Sequence, residues 1–150
     1  MVEKRNIRDV SGVLRQYVRD MKLRLVSCSK EYWEYVRLLR LDPRVKDGFI
    51  QTSHITEPDQ IAYMSEYSNC YRVALFDGKP CGYVGVIEND IRICTDPSFQ
   101  GMGIGKFMIN ELKKIWPQAL AKVKVSNEAS FKLFKSCGYE VEFYLMTKKI

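Results

Sequence analysis

The sequence predicts an α/β domain: a central, mostly antiparallel mixed sheet flanked by helices on both faces, with an extra helix at the N-terminus. Three observations carry this. Segments whose apolar residues recur at helical spacing interleave with short alternating segments along the chain. Two turn signals, Asp77-Gly78-Lys79-Pro80 and Glu88-Asn89-Asp90, join three strand-like segments in series. The chain has 150 residues, 46% of them hydrophobic, and neither a repeat nor a low-complexity linker, so residues 1–150 read as one domain around one core.

Ile7, Val10, Leu14, Tyr17 and Met21 recur at alternating steps of three and four, which places one apolar stripe on a helix over residues 6–20. Residues 1–21 are therefore an N-terminal helical extension, and its stripe could dock on a second copy of the chain. Residues 22–27 alternate as a strand does. Ser29 is placed to cap a helix over residues 30–41, which stops before Pro43 because the residue preceding proline is pushed out of the helical region. An irregular stretch over residues 47–55 follows. Glu57-Pro58 then opens a helix to Tyr67, with proline at a position where its missing donor costs nothing. Residues 71–76, 81–87 and 91–95 are the three serial strands. Ile104, Phe107, Met108, Leu112 and Ile115 mark a helix over residues 103–116 that Pro117 ends. A strand over residues 119–125, a helix over 127–136 and a last strand over 139–147 complete the order.

Composition narrows the function. Cys28, Cys70, Cys81, Cys94 and Cys137 are an odd set without a C-x-x-C pair, which fits neither a disulfide framework nor a zinc site. A reducing, cytoplasmic location and no metal are expected. No apolar run approaches the roughly 18 residues of a membrane span, so no membrane partner is expected. The net charge is +6, and residues 1–24 carry seven Lys/Arg against three Asp/Glu, or +4 of that total. Such a field suits a polyanionic small molecule. It also invites a nucleic-acid-binding alternative, but no aromatic-interleaved basic groove or zinc-finger spacing accompanies it.

The segment from Asp96 to Lys106 lies between a strand and a helix and holds three glycines. Glycines there let backbone N–H groups approach a ligand, and the helix N-terminus adds partial positive charge, so an anion site is expected. The P-loop pattern fails, because Gly101 and Gly105 enclose three residues and Phe107 follows Lys106. The dinucleotide fingerprint fails too, because Gly101, Gly103 and Gly105 are spaced G-x-G-x-G after a late strand.

Gln100, Gly103 and Gly105 do match Q/R-x-x-G-x-G/A, and this segment resembles the pyrophosphate-binding motif of the GNAT-type N-acetyltransferases. Ile93-Cys94-Thr95-Asp96-Pro97 resembles the V-D-P strand ending that precedes it in that family. A second family motif, N-x-x-A/S-x-x-L-Y/F-x-x-x-G-F/Y, is matched at Asn127, Ser130, Leu133, Phe134, Gly138 and Tyr139. The element order from about residue 22 onward resembles that fold as well. The resemblance implies acetyl-CoA as co-substrate, with its pantetheine arm paired along Ile93, Cys94 and Thr95 as an added strand would be. It implies a pyrophosphate site at Gln100, Gly101, Met102, Gly103, Ile104, Gly105 and Lys106, with further contacts from Asn127, Ser130 and Phe134. Asn127 is equally placed to cap its helix.

The reaction so implied is direct attack of a neutral amine on the thioester in a ternary complex, with backbone N–H groups near Cys94 and Thr95 polarising the carbonyl. Arg40-Leu41-Asp42-Pro43 resembles the R-N-D-P stretch of members that acetylate amino-sugar nucleotides, and also members that modify protein N-termini. A small-molecule amine acceptor is expected, a nucleotide-linked amino sugar being favoured slightly over a protein or metabolite amine. Glu88 is the first candidate base because it follows the central strand, and Asp90 is a further candidate of the same kind. His54 is the second, since histidine is the side chain whose ordinary pKa suits proton transfer near neutrality. Many family members place a Tyr where Phe134 stands, and phenylalanine cannot protonate a thiolate. Water, Ser126, Ser130 or Tyr139 takes that role, or the step needs no acid. A non-catalytic acyl-CoA sensor on the same fold is the alternative. Only eleven residues follow Tyr139, room for one closing strand where the family usually has two. The N-terminal helix or a second subunit, as in a homodimer, would cover what the absent strand leaves.

Overall fold

The computed structural model describes residues 7–50 and 54–150. Helix α1 (Ile7–Lys22) runs into β1 (Leu23–Ser27). A 3-10 turn at Lys30–Tyr32 then leads into α2 (Trp33–Leu41), and α3 (Glu57–Tyr67) follows. The strands β2 (Tyr71–Phe76), β3 (Lys79–Ile87) and β4 (Asp90–Thr95) come in succession, then α4 (Ile104–Ile115) and α5 (Glu128–Ser136). The four strands form one sheet in the order β1-β2-β3-β4, every neighbour antiparallel.

Turn chemistry fixes that order. Asp77 and Gly78 have φ of 50° and 79°, and Glu88 and Asn89 have φ of 50° and 66°. Two consecutive left-handed residues give a turn whose twist matches the flanking strands, so each hairpin closes in two residues. The β2–β3 register shifts between Ala74 and Leu75. Across the shift, Cys81 and Gly82 both turn toward α4: Cys81 belongs to the core on that side, and a Cβ on Gly82 would meet Met108. The extra residue of a bulge produces this doubling.

Each face of the sheet buries one core. Ala74, Cys81, Val84 and Ile91 pack against Ile104, Met108, Ile109 and Leu112 of α4 and Phe134 of α5. On the other face Tyr71, Val73, Leu75, Tyr83 and Cys94 pack against Val36 and Leu39 of α2 and Met64 of α3. Gln60, the buried polar side chain of α3, donates from Nε2 to the Trp33 carbonyl at 2.8 Å, and Trp33 Nε1 donates to the Cys28 carbonyl at 3.0 Å. Helix α3 starts where the sequence places it: Thr56 and Asp59 exchange side-chain and backbone hydrogen bonds in a capping box.

The structure departs from the sequence expectations at four places. Ser29 does not cap; its hydroxyl donates to Glu31 Oε1 at 3.1 Å, and the 3-10 turn intervenes before α2. Residues 119–125 form no strand. They touch the sheet through a single parallel bridge between Asp90 and Leu120, with Ile91 N–H donating to Leu120 O at 2.9 Å and Leu120 N–H to Asn89 O at 2.8 Å. Residues 139–147 alternate as a strand does but have no regular structure, because a strand exists only where a second backbone accepts its N–H and C=O groups. Finally, Leu14 and Tyr17 of the first helix are exposed, while the side chains of Ile7, Val10 and Met21 lie outside the described residues.

Leu112 is fully buried between the sheet and α4. Replacing it by alanine will lower the unfolding free energy by about 2–5 kcal/mol in urea titration, whereas Lys114→Ala on the exposed side of the same helix will change it by less than about 0.5 kcal/mol.

Candidate functional site

Beyond the bridge at Leu120 the chain splays away from β4, and a cleft of about 650 Å³ opens between them. One wall is β4. The other is Ala121, Lys122, Ser126, Asn127 and the face of α5 carrying Ser130, Leu133 and Phe134. Arg40, Arg44 and Phe49 close the end nearest α2.

The β4 wall carries unused backbone groups. Ile91 N–H points away from β3, since it bonds Leu120, and Asp96 N–H points toward β3, since it bonds the Cys81 carbonyl at 2.9 Å. Alternation along a strand then turns the N–H and C=O groups of Ile93 and Thr95 outward, into the cleft, and those of Arg92 and Cys94 inward to β3. Ile93 and Thr95 therefore offer the free strand edge that the sequence analysis assigned to Ile93, Cys94 and Thr95. Cys94 also lines the cleft, but its backbone groups face β3.

The loop from Gln100 to Lys106 meets this edge. Gly101 and Gly103 both have φ of 75°, a left-handed conformation that favours glycine. A Cβ at Gly105 would lie 2.7 Å from Leu133 Cδ2 and 3.3 Å from Thr95 Oγ1, so only glycine lets α4 start this close to β4 and α5. Among the described residues, no backbone hydrogen bond uses the N–H of Gly101, Met102, Gly103, Ile104, Gly105 or Lys106; the first bonded N–H of the helix is that of Phe107, to Gly103 O at 3.0 Å. Six donors at a helix N-terminus, with Gln100 carrying them to the cleft margin, suit an anion. The approach to this loop is held by Asp96, whose Oδ1 accepts from Ser98 N–H at 2.9 Å and whose Oδ2 accepts from the Tyr35 hydroxyl at 3.0 Å. Burial and then the Asp96 charge push the Tyr35 phenol far up, so it stays a neutral donor.

Charge in the cleft is mostly positive. Arg40, Arg44, Arg92 and Lys122 line it, against Asp47 and Asp90. Asp42 engages Arg44 at 2.7 Å, and the Arg40 guanidinium lies 5.4 Å from the Phe49 ring centroid. Asp90 Oδ2 lies 3.4 Å from Arg92 and 3.9 Å from Lys122, and its side chain is 15% exposed. Asp90 Oδ1 and Arg92 Nε are buried without a hydrogen-bond partner among the described residues, an arrangement that costs free energy until a ligand or water pairs them.

Several residues expected at the site converge here: Ile93, Cys94, Thr95, Gln100, Asn127, Ser130 and Phe134 all line the cleft. Asn127 lines the cleft, and its Oδ1 accepts from Ser130 N–H at 3.1 Å as the helix cap the sequence offered. Phe134 packs edge-on to Tyr139 at 5.2 Å between centroids. Of the three candidate bases Asp90 lines the cleft and the other two do not. Glu88 is exposed in the β3–β4 turn and His54 is exposed ahead of α3, and neither lines the cleft. The turn that ends the central strand projects Glu88 outward, because the residue after Ile87 already has positive φ. Arg92, Lys122, Tyr83 and Phe49 were not singled out from the sequence. For Arg92 a signal exists: Asp90 and Arg92 are charged residues on one face of a short, otherwise apolar strand. Among the described residues no group of three His, Cys, Asp or Glu side chains is placed to hold a metal.

Comparison with known proteins agrees with this architecture. The family described as acetyltransferase (GNAT) family matches residues 30–139. No curated protein sequence matches. Among solved structures, the spermidine N-acetyltransferase from Vibrio cholerae in complex with CoA and spermine is similar at TM-score 0.74 and 18% identity, covering 87% of this chain and 88% of that one. An aminoglycoside N-acetyltransferase in complex with CoA is similar at TM-score 0.64 and 16% identity, covering 85% and 94%. The acetyltransferase of GNAT family from Streptococcus pneumoniae is similar at 0.62 and 16%, covering 81% and 86%.

Burial pushes the thiols of Cys28, Cys81 and Cys94 up to about 11, 12 and 12, the Asp96 charge adding to the rise at Cys81 and Cys94. Thiolate is the reactive form. Iodoacetamide at pH 8 will therefore label half-buried Cys70 in the native protein and leave Cys28, Cys81 and Cys94 unmodified until the chain is denatured, as peptide mass mapping will read.

Proposed function

Since the chain belongs to the acetyltransferase (GNAT) family, we propose that its cleft transfers the acetyl group of acetyl-CoA to the amine of a small molecule that also carries negative charge, such as a nucleotide-linked amino sugar. One observation carries this: the outward-facing backbone of Ile93 and Thr95 lines a cleft together with Gln100, and the six N–H groups of residues 101–106 that follow Gln100 have no backbone partner. The two features suit the two parts of a CoA molecule, the amide-bearing arm on a strand edge and the pyrophosphate on the helix N-terminus. The residues thus fit the co-substrate, whose chemistry is to present a thioester carbonyl with a stable thiolate as leaving group.

The chain's own groups then have three tasks. The free N–H groups of the β4 edge hold the thioester carbonyl and stabilise the developing oxyanion. Asp90 receives the amine: it is a carboxylate inside the cleft with an unpaired oxygen, so it can hold an ammonium group and take its proton, which neither Glu88 nor His54 is placed to do. Ser126 and Ser130 bring hydroxyls to the lining, as Thr95 and Tyr83 also do, where Phe134 has none to offer the departing thiolate.

Charge favours the acceptor class. Spermine is bound by the Vibrio cholerae enzyme, but a polycation would meet Arg40, Arg44, Arg92 and Lys122 in this cleft. An amine joined to phosphate or carboxylate satisfies both Asp90 and these cations.

Acetyl-CoA at a hundredfold excess over its dissociation constant will stabilise the protein by about 2.7 kcal/mol, a rise in melting temperature of roughly 5–10 °C in a thermal scan. Gly105→Val will abolish that rise. In a panel of amines followed by CoA release, acidic amines will turn over ahead of spermidine. Binding without turnover of any amine would instead support the acyl-CoA sensor. Asp90→Asn will lower kcat by about a hundredfold or more while leaving the acetyl-CoA melting shift in place.

A further inference from the structure

A second cavity, of about 490 Å³, lies at the other edge of the sheet from the cleft and shares no lining residue with it. The two edge strands, β1 and β4, are three strand spacings apart, about 14 Å. The cavity sits where β1 ends and β2 begins. Ser27 and Arg72, partners across those strands, line it. So do Lys30 and Trp33 at the start of α2, and Ser68 and Asn69 in the 3-10 turn after α3.

Its chemistry is one-sided. Lys30 and Arg72 bring two positive charges, and among the described residues no carboxylate lines the cavity. The side chains of Ser27, Lys30, Ser68 and Asn69 take no hydrogen-bond or ion-pair partner among the described residues, whereas the Ser29 hydroxyl is turned to Glu31. Arg72 is fixed with one edge free. Its Nη1 donates to the Asn69 carbonyl at 3.0 Å and to the Tyr71 carbonyl at 2.8 Å, and its guanidinium lies 5.3 Å from the Trp116 ring centroid. Both Nη1 hydrogens are thus engaged, while Nε and Nη2 have no partner among the described residues and are not buried. Those two nitrogens carry the parallel N–H groups with which arginine grips an oxyanion bidentately.

We propose that this cavity binds a small phosphomonoester, its phosphate between Arg72 and Lys30 and its organic part against Trp33. Two cations call for a group of charge near −2, which a phosphomonoester carries at neutral pH and a single carboxylate does not. Three phosphate oxygens also match the three kinds of donor present: the arginine fork, the lysine ammonium, and the hydroxyl and amide groups of Ser27, Ser68 and Asn69. The volume is that of a small-molecule site and leaves room beyond the phosphate. Trp33 is already in place, since its Nε1 donates to the Cys28 carbonyl at 3.0 Å. With Arg72 and Trp33 both preorganised, little side-chain freedom is lost on binding.

The test needs no acetyl donor and does not depend on the acetyltransferase reading. The chain has two tryptophans, and both report on this cavity: Trp33 lines it and Trp116 lies against Arg72. Tryptophan fluorescence is titrated with phenyl phosphate at pH 8 and constant ionic strength, with benzoate as the singly charged control. The expected result is a saturable change, with benzoate binding about tenfold more weakly or worse. Lys30→Ala removes one cation and Ser68→Asp adds an anion. Each variant should weaken phenyl phosphate by about tenfold or more, while Lys122→Ala in the cleft should leave its binding unchanged. The proposal is overturned by the absence of a saturable change, by benzoate binding as tightly as phenyl phosphate, by either cavity variant binding like the wild type, or by loss of binding in Lys122→Ala. It is also overturned if a phosphoserine peptide gives the response and phenyl phosphate does not, which would make the cavity a docking site for a phosphorylated protein.

Discussion

The rest of the site depends on one unmet requirement, the hydrogen bonding of the outer edge of β4. A strand that pairs on one side must find partners for the groups facing the other, and here the chain meets that need only at Leu120. From there residues 121–127 leave the sheet, so the N–H and C=O groups of Ile93 and Thr95 face a cleft and not another strand. Had the bridge continued as a regular ladder, the same residues would have formed a closed sheet with nothing to bind. The separation is held by packing: Leu133 and Phe134 of α5 stand against α4 and keep the far wall apart.

Electrostatics give the cleft its polarity. At one margin six backbone donors at the start of α4 act as a fixed positive end that needs no side-chain ordering. Elsewhere in the cleft Arg92 and Lys122 flank Asp90. The Asp90–Arg92 contact at 3.4 Å leaves an oxygen and a nitrogen unpaired in a mostly dry place, so the pair is held incomplete where a substrate with both signs of charge could complete it. The cleft thus combines a permanent anion cradle with a mixed-charge end.

How much of this was legible in the sequence divides along the range of the forces involved. Both hairpins were legible at Asp77-Gly78 and Glu88-Asn89 because turn conformation is decided by a few adjacent residues. The start of α3 was legible for the same reason, through Glu57-Pro58, although the Thr56–Asp59 capping box was not read. The Gly101–Gly103–Gly105 loop was legible because its spacing states a backbone requirement. The strands over residues 119–125 and 139–147 were not, since their alternation is real but a strand's existence depends on a partner that no local pattern supplies. Nor could sequence position rank the candidate bases: proximity to the central strand says nothing about which way a turn projects, and of Glu88, Asp90 and His54 it is Asp90 that lines the cleft. The acceptor end, assembled from α2, β4 and the chain before α5, could not be assembled from spacing at all.

The hydrogen bond from Tyr35 to Asp96 has a metric consequence. Tyr35 anchors the approach to the glycine loop, and Arg40, on the same helix, stands at the α2 end of the cleft. Five residues of α-helix separate them, about 7.5 Å along the axis. Helix α2 therefore acts as a rigid ruler between the two ends of the binding site. A single inserted residue between these positions would swing Arg40 by about 100° around the helix while leaving the Tyr35 anchor untouched, so the span of ligand that this fold admits is written in the length of one helix.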